Sequence, residues 1–512
     1  MPIEFGWGKP HPYMMKMRGG QMTQIDFDNE NLFAFDDGFF SLMYLHGFNK
    51  RLVNDVKKAI EVNRDFCINH LKPLSLEIDR KYHENPNYLP WEMVELAAKH
   101  RRLSNYIPKY LGGSGEPMAV YGAVMEEQAA TDCAFVGLLG GHSLGMVALM
   151  MTFNLKVIDK IITEIVEGEK NGKPVMLSCA ITEPTAGSDV EEEELYPKAR
   201  LMCQAKKVQG GALLNGRKVF ISTGHVAKYH IVLMPFDNKR PMETYAEFLV
   251  PSDAKGFSLG RMEHKMGQRA GPASELIFED CFVPEENIVM AVDDRIGKQF
   301  PGQFPRLLRG VLGITRAAVG AWSTGTARGA AEHAIKFAKT QKLKGKTMIN
   351  HQWVQAHLTN MVMNVFMARA IYMESYFANM NNMYMGFDKI PAIFDNEIIA
   401  ALLKTRVYKA ILHSDFVRKL FLKNLDSATK AQDQKVQYAA SMAKVVGSDM
   451  AMENCHLAIE LAGEAGVRHE FGMEKFFRDA KLLQIFEGTN QLNRLNIFNN
   501  YLGRRIPNVE VY

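Results

Sequence analysis

Cysteine is sparse in this 512-residue chain. The six residues (Cys67, Cys133, Cys179, Cys203, Cys281 and Cys455) are scattered and include no Cys-x-x-Cys pair. That usage argues against a disulfide scaffold and a zinc site, and is expected of a reduced cytoplasmic protein. Charge of one sign is also lacking. The formal net charge is +4 and no block of five Lys or Arg occurs, so nothing points to nucleic acid. Met1 to Gln21 has no apolar core of secretory length and a single arginine, Arg18, so neither a signal nor a transit peptide is expected. Ala134 to Phe153 is uncharged and of membrane-spanning length. It carries His142, Ser143, Thr152 and four glycines without a basic flank. A buried core helix is therefore expected there and no integral membrane segment, with His142 a satisfied core residue rather than a catalyst.

What is present is a large apolar content, 47% of residues, enough for a sizeable core over about three domains. Residues 1–48 match no clear pattern and read as an N-terminal extension. Over 49–174 the apolar residues recur at helical spacing, as in Leu52/Val56/Ile60 and Trp91/Val94/Leu96. Over 175–300 the signal is short strands: Val175–Ile181, Lys218–Ser222, Tyr229–Met234 and Leu276–Phe278. Asn215-Gly216 predicts a hairpin turn among them. From 301 to 512 helical periodicity returns, with alanine-rich stretches at Arg316–Ala338 and Ser441–Gly463 suited to close helix packing. The fold class is thus α+β and mostly α: helical, then β, then helical.

Four ordered motifs carry the chemistry. Ile181–Asp189 (Ile-Thr-Glu-Pro-Thr-Ala-Gly-Ser-Asp) leaves a strand with amides and hydroxyls able to cradle a polar ring or a phosphate. Leu214–Gly224 sets Phe220 and Ser222 two residues apart, an aromatic and a hydroxyl on one strand face. Lys265-Met266-Gly267-Gln268-Arg269 is followed by Phe278–Asn287. Last comes Arg478–Gln491, where Glu487 follows an apolar run and precedes Gly488. A carboxylate against apolar walls is stabilised in its neutral form, which lifts its pKa toward the range of a general base. The run Glu191–Glu194 reads as a solvated loop.

Together these motifs resemble the acyl-CoA dehydrogenase family of flavoproteins, over roughly Asn49 to Leu502. The resemblance implies an N-terminal helical domain, a middle β-barrel-like domain and a C-terminal four-helix bundle, with FAD between the last two. It implies α,β-dehydrogenation of an acyl-CoA thioester. Glu487 would take the α-proton, the flavin N5 the β-hydride, and electron-transferring flavoprotein the electrons. Carried over by position, Thr182, Phe220, Ser222, Gln352, Gly463, Thr489 and Gln491 match FAD contacts. Ser188, Arg316 and Gly488 match substrate contacts. Thr315 occupies the place where some relatives carry the base and cannot serve as one. A homodimer or homotetramer is implied.

Three departures from the family pattern stand out. Gln341-Lys342-Leu343-Lys344-Gly345 replaces an Arg-x-x-Phe-Gly that reaches a neighbouring subunit's FAD, which removes a guanidinium fork. Gly271-Pro272-Ala273-Ser274 replaces the usual Ser-Asp-Thr. About 379–430 is an insertion, with Met380, Met383, Tyr384, Met385 and Phe387 and then a helical run from Glu397 to Leu425. Its Met/aromatic cluster is expected to pack the inserted helix rather than line an acyl pocket. An acyl-CoA oxidase, a flavin monooxygenase or a non-catalytic scaffold of the same fold are the alternatives.

Overall fold

The computed structural model describes residues 37–45, 47–107, 109–116, 120–292, 303–381, 405–425, 430–506 and 508–509. Most of the expected extension lies outside them. So do the inserted residues 382–404 and 426–429, and the side chains of Met380, Met383, Tyr384, Met385 and Phe387.

The helical part comprises α1 (Asp37–Leu45), α2 (Lys50–Phe66), α3 (Lys72–Glu84), α4 (Trp91–Lys99), α5 (Tyr121–Thr131), α6 (Cys133–Met151) and α7 (Leu155–Lys170). Asn49 starts α2 by accepting the Leu52 amide at 2.9 Å, which satisfies one of the free N–H groups of the first turn. The helix then buries Val53, Val56, Ile60 and Phe66. In α4 the expected stripe is rotated. Met93, Val94, Ala97 and Ala98 are buried, a three-to-four repeat that leaves Trp91 41% exposed in the first turn.

The uncharged segment forms α6, begun by Asp132, which accepts the Phe135 amide at 2.8 Å. This helix has the length and hydropathy to cross a bilayer, but most of it is buried inside the protein. Its glycines admit close neighbours: a Cβ on Gly145 would stand 2.8 Å from Leu177 Cβ. His142 is a satisfied core residue, as expected. Nδ1 accepts the Leu177 amide at 3.1 Å, so Nε2 carries the proton donated to Leu103 O, also at 3.1 Å. Burial pushes its pKa down to about 4.

Two four-stranded sheets follow. One runs in the order β1 (Leu177–Ala180), β4 (Tyr229–Pro235), β5 (Tyr245–Pro251), β8 (Ile288–Ala291), with β1 and β4 parallel. The other is antiparallel in the order β2 (Gln204–Val208), β3 (Gly211–Ser222), β7 (Ala273–Pro284), β6 (Phe257–Met262). Leu214, Ile221, Val232, Met234, Phe248, Leu276 and Phe278 fill one buried cluster shared by both sheets. A helical turn, α8 (Pro241–Thr244), leads into β5.

The hairpin expected at Asn215-Gly216 is a correction: both residues lie inside β3, at a register break opposite β7. The β2–β3 turn falls at Gln209-Gly210, where Gly210 has φ +78. Asn215 was misleading because its side chain serves the bulge. It donates to Asp280 Oδ1 at 3.0 Å and accepts the Asp280 amide at 2.9 Å.

The last part holds α9 (Gln303–Thr340), a two-residue hairpin β9–β10 (Lys342–Leu343, Lys346–Thr347), α10 (Gln352–Asn381), α11 (Arg406–Leu412), α12 (Asp415–Leu425), α13 (Lys430–Ala462), α14 (Met473–Leu483) and α15 (Asn490–Ile497). In the alanine-rich stretches α9 and α13 meet backbone to backbone. A Cβ on Gly320 would lie 2.8 Å from Ala443 Cβ, and one on Gly447 2.9 Å from Gly320 O. The inserted α12 docks on the seam between helices and sheet. Arg418 donates to Thr152 O and Val289 O, each at 2.9 Å, and Phe421 stacks on Phe153 at 5.5 Å.

The third and fourth motifs clasp each other. The Gln268 amide donates to Asp479 Oδ1, and its side chain donates to Asp479 O at 3.0 Å. Gly267 is required there, because a Cβ would stand 2.2 Å from Arg478 O. Lys475 holds Asp479 at 2.8 Å and Asp132 at 3.2 Å, which ties the N-terminal helices to the same point.

Candidate active site

After α14 the chain turns through Gln484–Gly488, and Thr489 starts α15 by accepting the Leu492 amide at 3.2 Å. Glu487 and Gly488 have φ of +56 and +74, a conformation that a glutamate adopts only when its surroundings enforce it. Four side-chain contacts enforce it. Arg316 Nε donates to Glu487 O at 3.2 Å, and Asn493 Nδ2 to the same oxygen at 3.1 Å. Asn493 Nδ2 and Lys444 Nζ also donate to Gly488 O, at 2.9 and 2.8 Å.

The carboxylate so aimed accepts one hydrogen bond, from Thr315 Oγ1 to Oε2 at 2.7 Å. Burial raises the Glu487 pKa, opposed by that hydrogen bond and by the charges of Arg316 and Lys444. Lys444 is itself buried, which pushes its pKa down to about 7.

The Glu191–Glu194 run is a second correction. Glu192 is 5% exposed; it accepts from Arg316 Nη2 at 2.9 Å and from Asn496 Nδ2 at 2.9 Å. Glu191 faces the same guanidinium at 3.9 Å, and Glu193 pairs with Arg309. Glu191 and Glu192 are drawn in because buried Arg316 needs a countercharge, and an unpaired buried cation is costly; Glu194 is exposed, as expected. Nothing local shows this, since Arg316 lies 124 residues from Glu192. Glu191, Glu192, Lys444 and Asn493 are therefore site residues that sequence reading missed. The signal available was four acids directly after the Thr182–Asp189 motif.

Arg316 is fully buried, with its Nε and Nη2 engaged as above. Ser188 Oγ accepts the Thr489 amide at 3.3 Å, which joins the strand-exit loop to the loop bearing Glu487. Thr182 O accepts the Val219 amide at 3.0 Å, so the loop is also tied to β3. A register break between Lys218 and Ile221 puts Phe220 at φ +58 and leaves its ring 59% exposed. Ser222 is exposed as well, at the end of β3 beside Gly141. The structure thus gathers Thr182, Ser188, Thr315, Arg316, Glu487, Gly488 and Thr489. It leaves Phe220 and Ser222 open on the neighbouring strand, with Gln491 exposed on α15.

Two of the expected residues lie elsewhere. Gln352 opens α10, past the far end of α9 and about 38 Å of helix from Thr315. Gly463 ends α13 with φ +58 and no atom within 4 Å of a Cβ there.

Tyr121 is 8% exposed and feels the Glu487 charge, its hydroxyl bonded to Ser143. Its ring meets Tyr106 edge-on at 4.8 Å and lies nearly parallel to Tyr376 at 6.3 Å. These groups can hold a base and present an aromatic face with hydroxyls to a flat, polar-edged ring.

The chain matches the N-terminal domain of acyl-CoA dehydrogenase over residues 55–169 and the middle domain over 178–281. It matches the C-terminal domain over 305–383 and 401–502. It is 28% identical over 444 residues to cyclohex-1-ene-1-carbonyl-CoA dehydrogenase of Syntrophus aciditrophicus, covering 87% of this chain and 89% of that one. It is 29% identical over 442 residues to the caffeyl-CoA reductase-Etf complex subunit CarC of Acetobacterium woodii, covering 86% and 96%. Butyryl-CoA dehydrogenase from Megasphaera elsdenii shares the fold at TM-score 0.67 and 22% identity, over 88% of this chain and 98% of that one.

Proposed function

The chain belongs to the acyl-CoA dehydrogenase family, and we propose that it oxidises an acyl-CoA thioester to its α,β-enoyl form with Glu487 as the base. One observation carries this reading: a glutamate at φ +56, braced by Arg316, Asn493 and Lys444, with its carboxyl held in partial burial against Thr315.

The family cofactor is FAD, and the residues present fit it. Phe220 offers an open ring, Ser222 and Thr182 hydroxyls, and the two sit on segments tied to the base loop through Ser188 and Val219. When bound, FAD supplies the two-electron acceptor for the β-hydrogen. Glu487 removes the α-proton, and the raised pKa brings it nearer the strength needed at neutral pH. Arg316 and Asn493 fix where that carboxyl points. Gln352 and Gly463, remote from Glu487 within one chain, suit contacts to the FAD of a second copy.

The acyl group we infer is compact and ring-bearing. Tyr121, which feels the Glu487 charge, is flanked by Tyr106 and Tyr376, and flat rings pack well on aromatic walls. Two relatives are named for a cyclohexenecarbonyl and a caffeyl thioester. The electrons pass to an electron-transferring flavoprotein, the partner in the name of one of them.

An anaerobic visible titration of the FAD-loaded protein with a panel of thioesters tests the whole reading. Bleaching by cyclic acyl-CoAs, with little response to long linear chains, is the expected result. A flavin that no thioester bleaches would overturn it.

A further inference from the structure

Glu191 has no part in the reaction as drawn, yet it abuts the peptide that follows the base. Its side chain is 17% exposed, and Oε2 is buried without a hydrogen-bond partner. That oxygen would lie 3.2 Å from a Cβ placed on Gly488. The charged groups around Glu191 are Glu487 on the base loop, Arg316 on α9, Lys444 on α13 and Glu192 on its own segment. The two cations are already held more closely by others. Arg316 Nη2 is 2.9 Å from Glu192 and 3.9 Å from Glu191. Lys444 Nζ is held by Gly488 O at 2.8 Å and Asn490 Oδ1 at 2.6 Å. Glu191 is left against the Glu487–Gly488 peptide, within the field of the Glu487 charge, with Arg316 at 3.9 Å and no hydrogen bond to Oε2.

We propose that Glu191 and Glu487 form an acid pair sharing one proton at neutral pH, with Glu487 ionised as the base and Glu191 kept neutral as a positioning acid. This rests on the reading of Glu487 given above. The proton goes to Glu191 because Glu487 accepts a hydrogen bond from Thr315, whereas Glu191 Oε2 accepts none. A carboxylate that accepts a hydrogen bond is the better anion. Burial and the adjacent Glu487 charge push the Glu191 carboxyl up to about 8. Below that pH the pair carries a single negative charge. Above it a second charge appears beside the loop. Proton abstraction builds negative charge on the thioester, so a neutral Glu191 leaves that step unopposed and an ionised one resists it.

The test is the pH dependence of flavin bleaching by a thioester that reduces the FAD-loaded enzyme, in wild type and in E191Q. The wild-type rate should fall above pH about 8, approaching tenfold per unit, and the fall should vanish in E191Q. A substrate-free readout accompanies it. Infrared difference titration should show a protonated carboxylic acid in wild type that disappears through the same pH range and is absent in E191Q. In E487Q, with the facing charge removed, that band should disappear at lower pH, which serves if E191Q fails to hold FAD. An alkaline fall that persists in E191Q, or a band unmoved by E487Q, overturns the pair. If no thioester bleaches the wild-type flavin, the dehydrogenase reading fails, while the infrared bands still decide whether the two acids share a proton.

Discussion

Thr315 Oγ1 donates to Glu487 Oε2 at 2.7 Å, so the residue standing where some relatives place their base hydrogen-bonds the base proposed here. A hydrogen bond to the ionised form holds a carboxyl pKa down. Thr315→Val should therefore raise the apparent pKa of the base, by about one unit, since a bond to a charged group contributes about 1.5–3 kcal/mol. Flavin-bleaching rates across pH would show the acid limb displaced upward, with rates at high pH largely kept. An unmoved limb would remove Thr315 from the site.

Glu487→Gln keeps the size of the side chain and removes the base. The reductive step should slow by about a hundred- to ten-thousand-fold while FAD stays bound. Stopped-flow bleaching together with the flavin spectrum separates lost chemistry from lost cofactor.

Gly488 has φ +74, and a Cβ there would stand 3.1 Å from Asn493 Nδ2 and 3.2 Å from both Arg316 Nη2 and Glu191 Oε2. Gly488→Ala should cost about 1–3 kcal/mol of local strain and misdirect Glu487. The bleaching rate should drop by more than tenfold with only a small change in melting temperature.

His142 is buried with its pKa pushed down to about 4, and His333 likewise to about 3, in each case first by burial. Both hold fewer protons folded than unfolded, so they contribute stability above pH about 6.5 that is lost as pH falls toward 4. Urea midpoints should fall steeply over that window. His142→Gln should lower the midpoint at pH 7 and flatten the slope between pH about 6.5 and 4.

The face of α10 bearing Trp353, Met363, Phe366, Met367 and Ile371 is 36–53% exposed at each position. Such a stripe on a 30-residue helix suits a second copy of the chain, in line with the far-lying Gln352. Met367→Glu should shift the species seen by light scattering toward monomer and weaken FAD retention.

The elements with strong local signals were legible in the sequence. Helical spacing gave α2, and the β-rich runs span β1 and lie within β3, β4 and β7. The buried fate of Ala134–Phe153 followed from its glycines and missing basic flanks. The misreadings share one cause, partners distant in the chain. Asn215-Gly216 looked like a turn, but Asp280 claims its side chain. Glu191 and Glu192 looked solvated, but Arg316 and Asn496 reach them from more than a hundred residues away. Trp91 was assigned to an apolar stripe whose register is set by contacts with other helices. Glu487 could be singled out because its signal, an apolar run ending in Glu-Gly, is local.

The clasp between Gln268 and Asp479 fixes the strand region to α14, only eight residues before Glu487. Tyr121 on α5, with Tyr376 on α10 and Tyr106 on the segment before α5 around it, stands outside that clasp. On the proposed reading, replacing these rings changes which thioester is accepted without touching the clasp that holds the Glu487 loop. Variants at Tyr106, Tyr121 and Tyr376 would sample that change.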